Sequence, residues 1–225
     1  MTAALFSLHA ARDRGRPVLL VDLCGDLPAV FGSAETTSGL AGWLRSDLAP
    51  CSLERVLEEL APNLALLARG QGPLTARRAD ELVEWLDSDA VVVVDAGVLP
   101  AQAQQPDGVS KSSRPLGAGA DSVSGDEELR WRLAAEADRS ILVTRACYLA
   151  LRRAVSLPVR PSGVVLVAEA GRALTRSDCE RAIGAPVLAT VAIDPDIARA
   201  VDAGMLRTRV PKGAIKALGR LFGEL

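Results

Sequence analysis

The sequence predicts an α/β fold, a mostly parallel sheet with helices on both faces. Three observations carry that reading. Short aliphatic runs, such as VLLV at Val18 to Val21 and AVVVV at Ala90 to Val94, recur between longer stretches with helical spacing. Apolar residues make up 49% of the chain and aromatics only 3%, so the core must be built from Val, Leu, Ile and Ala, which suits helices packed on parallel strands. The length, 225 residues, suits one large domain spanning the chain, because single cores stop growing only near about 250 to 300 residues.

In chain order, Ala3 to Arg14 has helix-forming composition with Leu5, Leu8 and Ala11 on one face, and Gly15 stands where a helix C-cap belongs. Val18 to Val21 follows as a buried strand between Pro17 and Asp22. Further strands are predicted at Leu64 to Leu67, Ala90 to Val94, Ile141 to Val143, Val164 to Val167 and Val187 to Val191. Helices are predicted at Leu53 to Leu60, Ala76 to Leu86, Glu127 to Ala137, Tyr148 to Val155, Ser177 to Ile183 and Asp196 to Ala203. Strands alternating with helices imply crossovers and parallel pairing. Residues 98–125 break the rhythm: a Gly, Ser, Pro, Gln and Ala stretch with almost no large apolar side chain reads as a flexible loop, unable to bury enough surface to offset its ordering entropy.

A net charge of −2 gives no global reason to expect a nucleic-acid partner. The four cysteines, Cys24, Cys51, Cys147 and Cys179, form no CxxC pair, and the single histidine, His9, has no ligand-spaced neighbour, which argues against structural zinc and for a reducing cytoplasmic compartment. The first residues do not form a secretory signal, and no apolar run reaches the ~18 residues that a membrane span needs.

Ligands of open parallel sheets bind beyond the carboxyl ends of the strands. Asp22 ends one strand run and Asp95, in VVVVDAG, ends another, so both acids are candidates for one crevice. Equally, each could merely cap a turn or the next helix.

The order of the pieces discriminates further. A helix starting at Thr2, then RGRPVLLVD, GDLPAVFG, VVVVDAG, ADRSILVTR, GVVLVAEAGRAL and IGAPVLATVAIDPDIARAVDAGML, closely resembles the MinD/ParA (CpaE-like) family of deviant Walker A P-loop ATPases. The resemblance covers almost the whole chain and is weakest through 98–125. It implies a P-loop NTPase fold whose central first strand and phosphate loop would stand before Met1 and are absent from the sequence. Either a late start codon or a truncated chain that relies on a partner or a rearranged sheet accounts for that. The resemblance implies ATP and Mg2+ as cofactors, no metal beyond the magnesium that comes with nucleotide, and nucleotide or magnesium contacts from Thr2, Asp22, Asp26, Asp95, Asp194 and Pro195. Asp95 matches the Walker B acid, and Asp194 and Pro195 match the segment near the base pocket, where a helix-starting turn explains them as well.

The implied function is a nucleotide-dependent switch: an ATP-binding homodimer that positions or partitions a protein partner in cell division, chromosome partitioning or pole placement. Two departures support the alternative, a degenerate pseudo-ATPase that serves as a binding adaptor. Cys24 stands where many members carry a second Asp, and Ala168 and Glu169 follow a strand after which many members have an adenine-reading Asn.

Residues 211–225 read as a C-terminal amphipathic helix, with Ile215, Leu218, Leu221 and Phe222 on one side and Lys212, Lys216 and Arg220 on another. Such a helix lies at an anionic membrane surface or docks its apolar face on the domain. The first role, which the family's membrane-targeting tail resembles, would make the protein peripheral at the inner face of the cell membrane.

Overall fold

The computed structural model describes residues 1–13, 15–99, 124–210 and 218–219. The stretches expected as a loop at 98–125 and as a helix at 211–225 lie, apart from a few residues, outside them. Helix α1 (Thr2–Asp13) turns Ala4, Leu5, Leu8 and Ala11 inward, none more than 5% exposed. Gly15 then takes a left-handed φ of 60°, which a glycine adopts without strain, and the chain turns into β1 (Val18–Asp22). Every residue of β1 is buried.

After β1 come two short helices, α2 (Leu27–Phe31) and α3 (Leu40–Arg45), and a 3-10 turn over Pro50–Val56. The segment expected as a helix over Leu53 to Leu60 instead splits between that turn and β2 (Leu57–Ala61). Pro62 and Asn63, the latter at φ 62°, make a two-residue turn that folds β2 antiparallel onto β3 (Leu64–Leu67). The open edge of β3 thus overrides a helical composition.

The remaining elements alternate as the sequence predicts: α4 (Ala79–Leu86), β4 (Val91–Asp95), α5 (Gly125–Glu136), β5 (Ile141–Arg145), α6 (Tyr148–Val155), β6 (Gly163–Ala168), α7 (Arg176–Ile183), β7 (Val187–Ala192) and α8 (Pro195–Asp202). Thr175 and Asp178 close a reciprocal capping box at the start of α7, and Asp194 caps α8 ahead of Pro195 at its first position.

The strands form two sheets. The first has the order β2-β3-β1-β4, with β1 parallel to both neighbours, and the second is β5-β6-β7, all parallel. Successive β1 residues point to opposite faces, so Val18 and Leu20 enter one core and Leu19 and Val21 another. The first core spans both sheets: Leu5 and Leu8 of α1 and Ile197 of α8 share it with Leu20, Leu66, Val165 and Ala189. On the opposite side each sheet has its own core, Leu40, Leu53, Leu82 and Leu129 under the first and Leu151 and Cys179 under the second.

Strands β4 and β5 are the ends of their sheets. The four valines of β4 read as a strand covered on both faces, yet each is only half-buried, and Ile141 and Val143 of β5 are 37% and 43% exposed. Among the described residues each of these two strands has one edge to which no strand is paired.

Candidate functional site

β1 and β4 pair in register, which sets Asp22 opposite Asp95 at the carboxyl ends of adjacent parallel strands. The loop leaving β1 is built around Asp22. Its Oδ1 accepts the N–H groups of Cys24 and Gly25, both at 2.8 Å, and its Oδ2 accepts that of Leu27 at 3.1 Å. The residue is fully buried. Burial pushes its carboxyl above the usual carboxylate range; the three N–H donors oppose that rise and the charge of Asp95 adds to it.

Asp95 is less enclosed, with 21% of its side chain exposed. Its Oδ1 accepts the Gly97 N–H at 3.1 Å and lies 3.7 Å from the Cys24 sulfur, while its Oδ2 is 3.9 Å from the amino group of Met1, at the start of α1. The positive end of the α1 dipole therefore stands beside this carboxylate. The Cys24 thiol is pushed up to about 11, first by burial and then by the charge of Asp95, with Arg130 opposing. At neutral pH it is a protonated donor and cannot act as a carboxylate.

Three residues that sequence reasoning missed hold this arrangement. Arg130 of α5 donates from Nη2 to the Leu23 carbonyl at 2.6 Å, from Nη1 to the Ala96 carbonyl, and from Nε to Asp126 at 2.9 Å. Arg69, just past β3, donates to the same Leu23 carbonyl at 2.9 Å and reaches Asp126 at 3.5 Å. The loops after β1 and β4 are thereby tied to α5. Two residues on from Arg130, Arg132 turns outward and pairs with Asp80 at 2.7 Å.

Among the described residues no three His, Cys, Asp or Glu side chains form a metal-holding group. Magnesium does not need one, because it is commonly held by one or two carboxylates together with phosphate oxygens and water. Asp95 Oδ2, beside the amino end of α1, fits that role. The described residues contain no lysine to meet a phosphate, and Arg69 and Arg130 are committed to Asp126 and to backbone carbonyls.

No family model matches this sequence, and no curated protein matches it. Solved structures do. MinD, the cell division ATPase of Pyrococcus furiosus, superposes with a TM-score of 0.71 at 19% identity, over 100% of this chain and 92% of that one. The chain has the MinD/ParA ATPase fold. A ParA family ATPase from Chlorobium tepidum matches at 0.68 and 17% identity with the same coverage. The septum site-determining protein MinD of Pyrococcus horikoshii, solved with Mg-ADP, matches at 0.68 and 20% identity, over 99% of this chain and 88% of that one.

Within the MinD/ParA fold the expected site residues fall into two groups. Asp22, Asp95 and the start of α1, where Thr2 is half-buried, come together. Asp26 follows on the same loop as an exposed residue before α2, and its side chain makes no cap hydrogen bond. Asp194 and Pro195 follow β7 in the second sheet, where the Asp194 carboxylate accepts the Asp196 N–H at 2.9 Å. Ala168 is exposed, and Glu169 pairs with Arg145 at 3.0 Å and with Arg172. Of the tail, Leu218 is fully buried in the core that contains α1, whereas Lys212, Ile215, Lys216, Arg220, Leu221 and Phe222 lie outside the described residues.

Proposed function

We propose that this protein is a positioning or partitioning switch of the MinD/ParA kind, set by a magnesium nucleotide at the carboxyl ends of β1 and β4. One observation carries the reading: the in-register pair Asp22 and Asp95, with the amino end of α1 against Asp95. The Mg-ADP complex of the Pyrococcus horikoshii neighbour supports the choice of ligand. The bound group would supply phosphates and a cation whose presence or absence the protein reads.

Each residue then has a task. Asp95 holds the cation, and the Thr2 hydroxyl and first N–H groups of α1 face the anionic side. Asp22 shapes the loop after β1, so its contribution is geometric. Asp26, exposed at the end of that loop, is free to orient water, and Asp194 and Pro195 are placed on the base side. Because Cys24 keeps its proton, turnover is slow. The protein acts as a cytoplasmic homodimer that recruits a protein partner, with residues 211–225 docking on the domain or joining the membrane surface.

A second reading has its own observation. Asp22 is saturated by its own loop, both nearby arginines are engaged, and no lysine is among the described residues. Those features suit an adaptor that keeps the fold without using nucleotide. Titrating the protein with a fluorescent ATP analogue and magnesium separates the two. The switch predicts saturable binding that weakens at least about tenfold in Asp95→Ala, the loss of one charge-assisted contact. A folded protein that gives no binding establishes the adaptor.

A further inference from the structure

Helix α6 presents an unusual outer face. Its inward side rests on Leu151, 7% exposed and packed against Val164, Leu166 and Cys179 of the second sheet and α7. An ordinary surface helix would turn polar residues to solvent. Instead Tyr148, Leu149 and Val155 are 71%, 66% and 62% exposed, and the charges between them are two adjacent arginines, Arg152 and Arg153, both exposed. Leu149, Arg152, Arg153 and Ser156, spaced i, i+3, i+4 and i+7, line one surface depression.

From Arg139 to Ala168 the chain carries five arginines, at positions 139, 145, 152, 153 and 160, and no Asp or Glu; Glu169, just beyond, answers Arg145 at 3.0 Å, while Arg152 and Arg153 have no carboxylate partner among the described residues. Carboxylates of the neighbouring helix do not answer these charges, since on α7 Asp178 pairs with Arg181 at 3.3 Å and Glu180 with Arg176 at 3.0 Å.

We infer that the outer face of α6 is a docking surface for an acidic amphipathic helix of a protein partner, whose leucine-like side chains cover Leu149 and Val155 while its carboxylates meet Arg152 and Arg153. Charge complementarity selects an anionic partner, and exposed aliphatic area interleaved with the cations selects a protein over a phosphate backbone, which would leave Leu149 and Val155 wet. Arginine favours carboxylates because its planar fork meets both oxygens at once. None of the residues lining this face belongs to the strand-end site.

The test uses the full chain and three fluorescent probes: a helical peptide with leucines on one face and glutamates on the other, a mixed-sequence DNA duplex, and phosphatidylglycerol vesicles. Binding of the peptide in preference to both others is expected, weakened about tenfold or more by Arg152→Glu with Arg153→Glu. Leu149→Ser, which removes apolar area and no charge, should weaken the peptide alone. All three positions are exposed, so an unchanged unfolding midpoint is expected as the fold control. Failure of the peptide to bind, tighter binding of the duplex or the vesicles, or peptide binding indifferent to these substitutions overturns the inference.

Discussion

Asp22 and Asp95 face each other across the β1–β4 ladder, yet their carboxylates are used in opposite ways: Asp22 is closed by three backbone N–H groups of its own loop, while Asp95 keeps Oδ2 toward the start of α1. One acid shapes the site and the other is available to what enters it.

That division predicts two kinds of loss. Asp22→Ala leaves the buried Leu27 N–H and the partly buried Cys24 and Gly25 N–H groups without their acceptor and should cost about 2 to 4 kcal/mol of stability, whereas Asp95→Ala should stay within about 1 kcal/mol. Urea unfolding of both variants checks this, and equal losses would refute the division. The pH dependence has a sign as well. Because the folded carboxyl of Asp22 is raised above its unfolded value, the folded state holds the proton longer. Its stabilising share is present below the ordinary carboxylate range and fades as pH rises through the folded value, so Asp22→Asn should flatten that part of the stability profile.

Cys24 gives a chemical readout of the same pocket. With its thiol pushed up to about 11, alkylation by iodoacetamide near neutral pH should be slow at Cys24 and fast at the exposed Cys51. Peptide mapping should show Cys24 labelling climb only as pH approaches its raised value. An unfolded thiol ionises earlier, near about 8.5, so stability should decline with rising pH across that interval. Rapid labelling of Cys24 at pH 7 would contradict the enclosure of its thiol beside Asp95.

Ser7 offers a stabilising change. It is fully buried in α1, and its hydroxyl has no hydrogen-bond partner among the described residues. Removing the unsatisfied hydroxyl by Ser7→Ala should raise stability by about 1 kcal/mol and also favours the helix. A lower melting temperature for this variant would mean that the hydroxyl has a use the described contacts do not contain.

The alternation of strands and helices was readable because aliphatic runs such as Val91 to Val94 are too short for helices and too apolar for loops. LERVLEEL misled because its spacing is helical, while the deciding signal, Pro62 and Asn63, lies just past its end and works by folding the segment onto β3. Asp22 and Asp95 could be picked out as strand-terminal acids, but whether an acid faces a ligand or its own loop is settled by the direction of N–H groups that no residue letter encodes. A glycine three residues after Asp22, at φ 95°, is the local hint of a loop folding back. Arg69, Asp126 and Arg130 were invisible for a different reason. Asp126 and Arg130 are an i, i+4 pair on α5, but the Arg69 side chain and the Leu23 and Ala96 carbonyls that they meet come from distant segments, and nothing near α5 marks those.

The two unpaired edges carry a consequence for how the protein behaves when crowded. On β5, Arg145 puts a charge at the strand end that discourages edge-to-edge addition, a common natural safeguard. β4 has four valines in a row and no such guard until Asp95. Where that edge is open, as it is among the described residues, it is a place at which a second copy of the chain can add a strand, so those valines bear on solubility more than on folding.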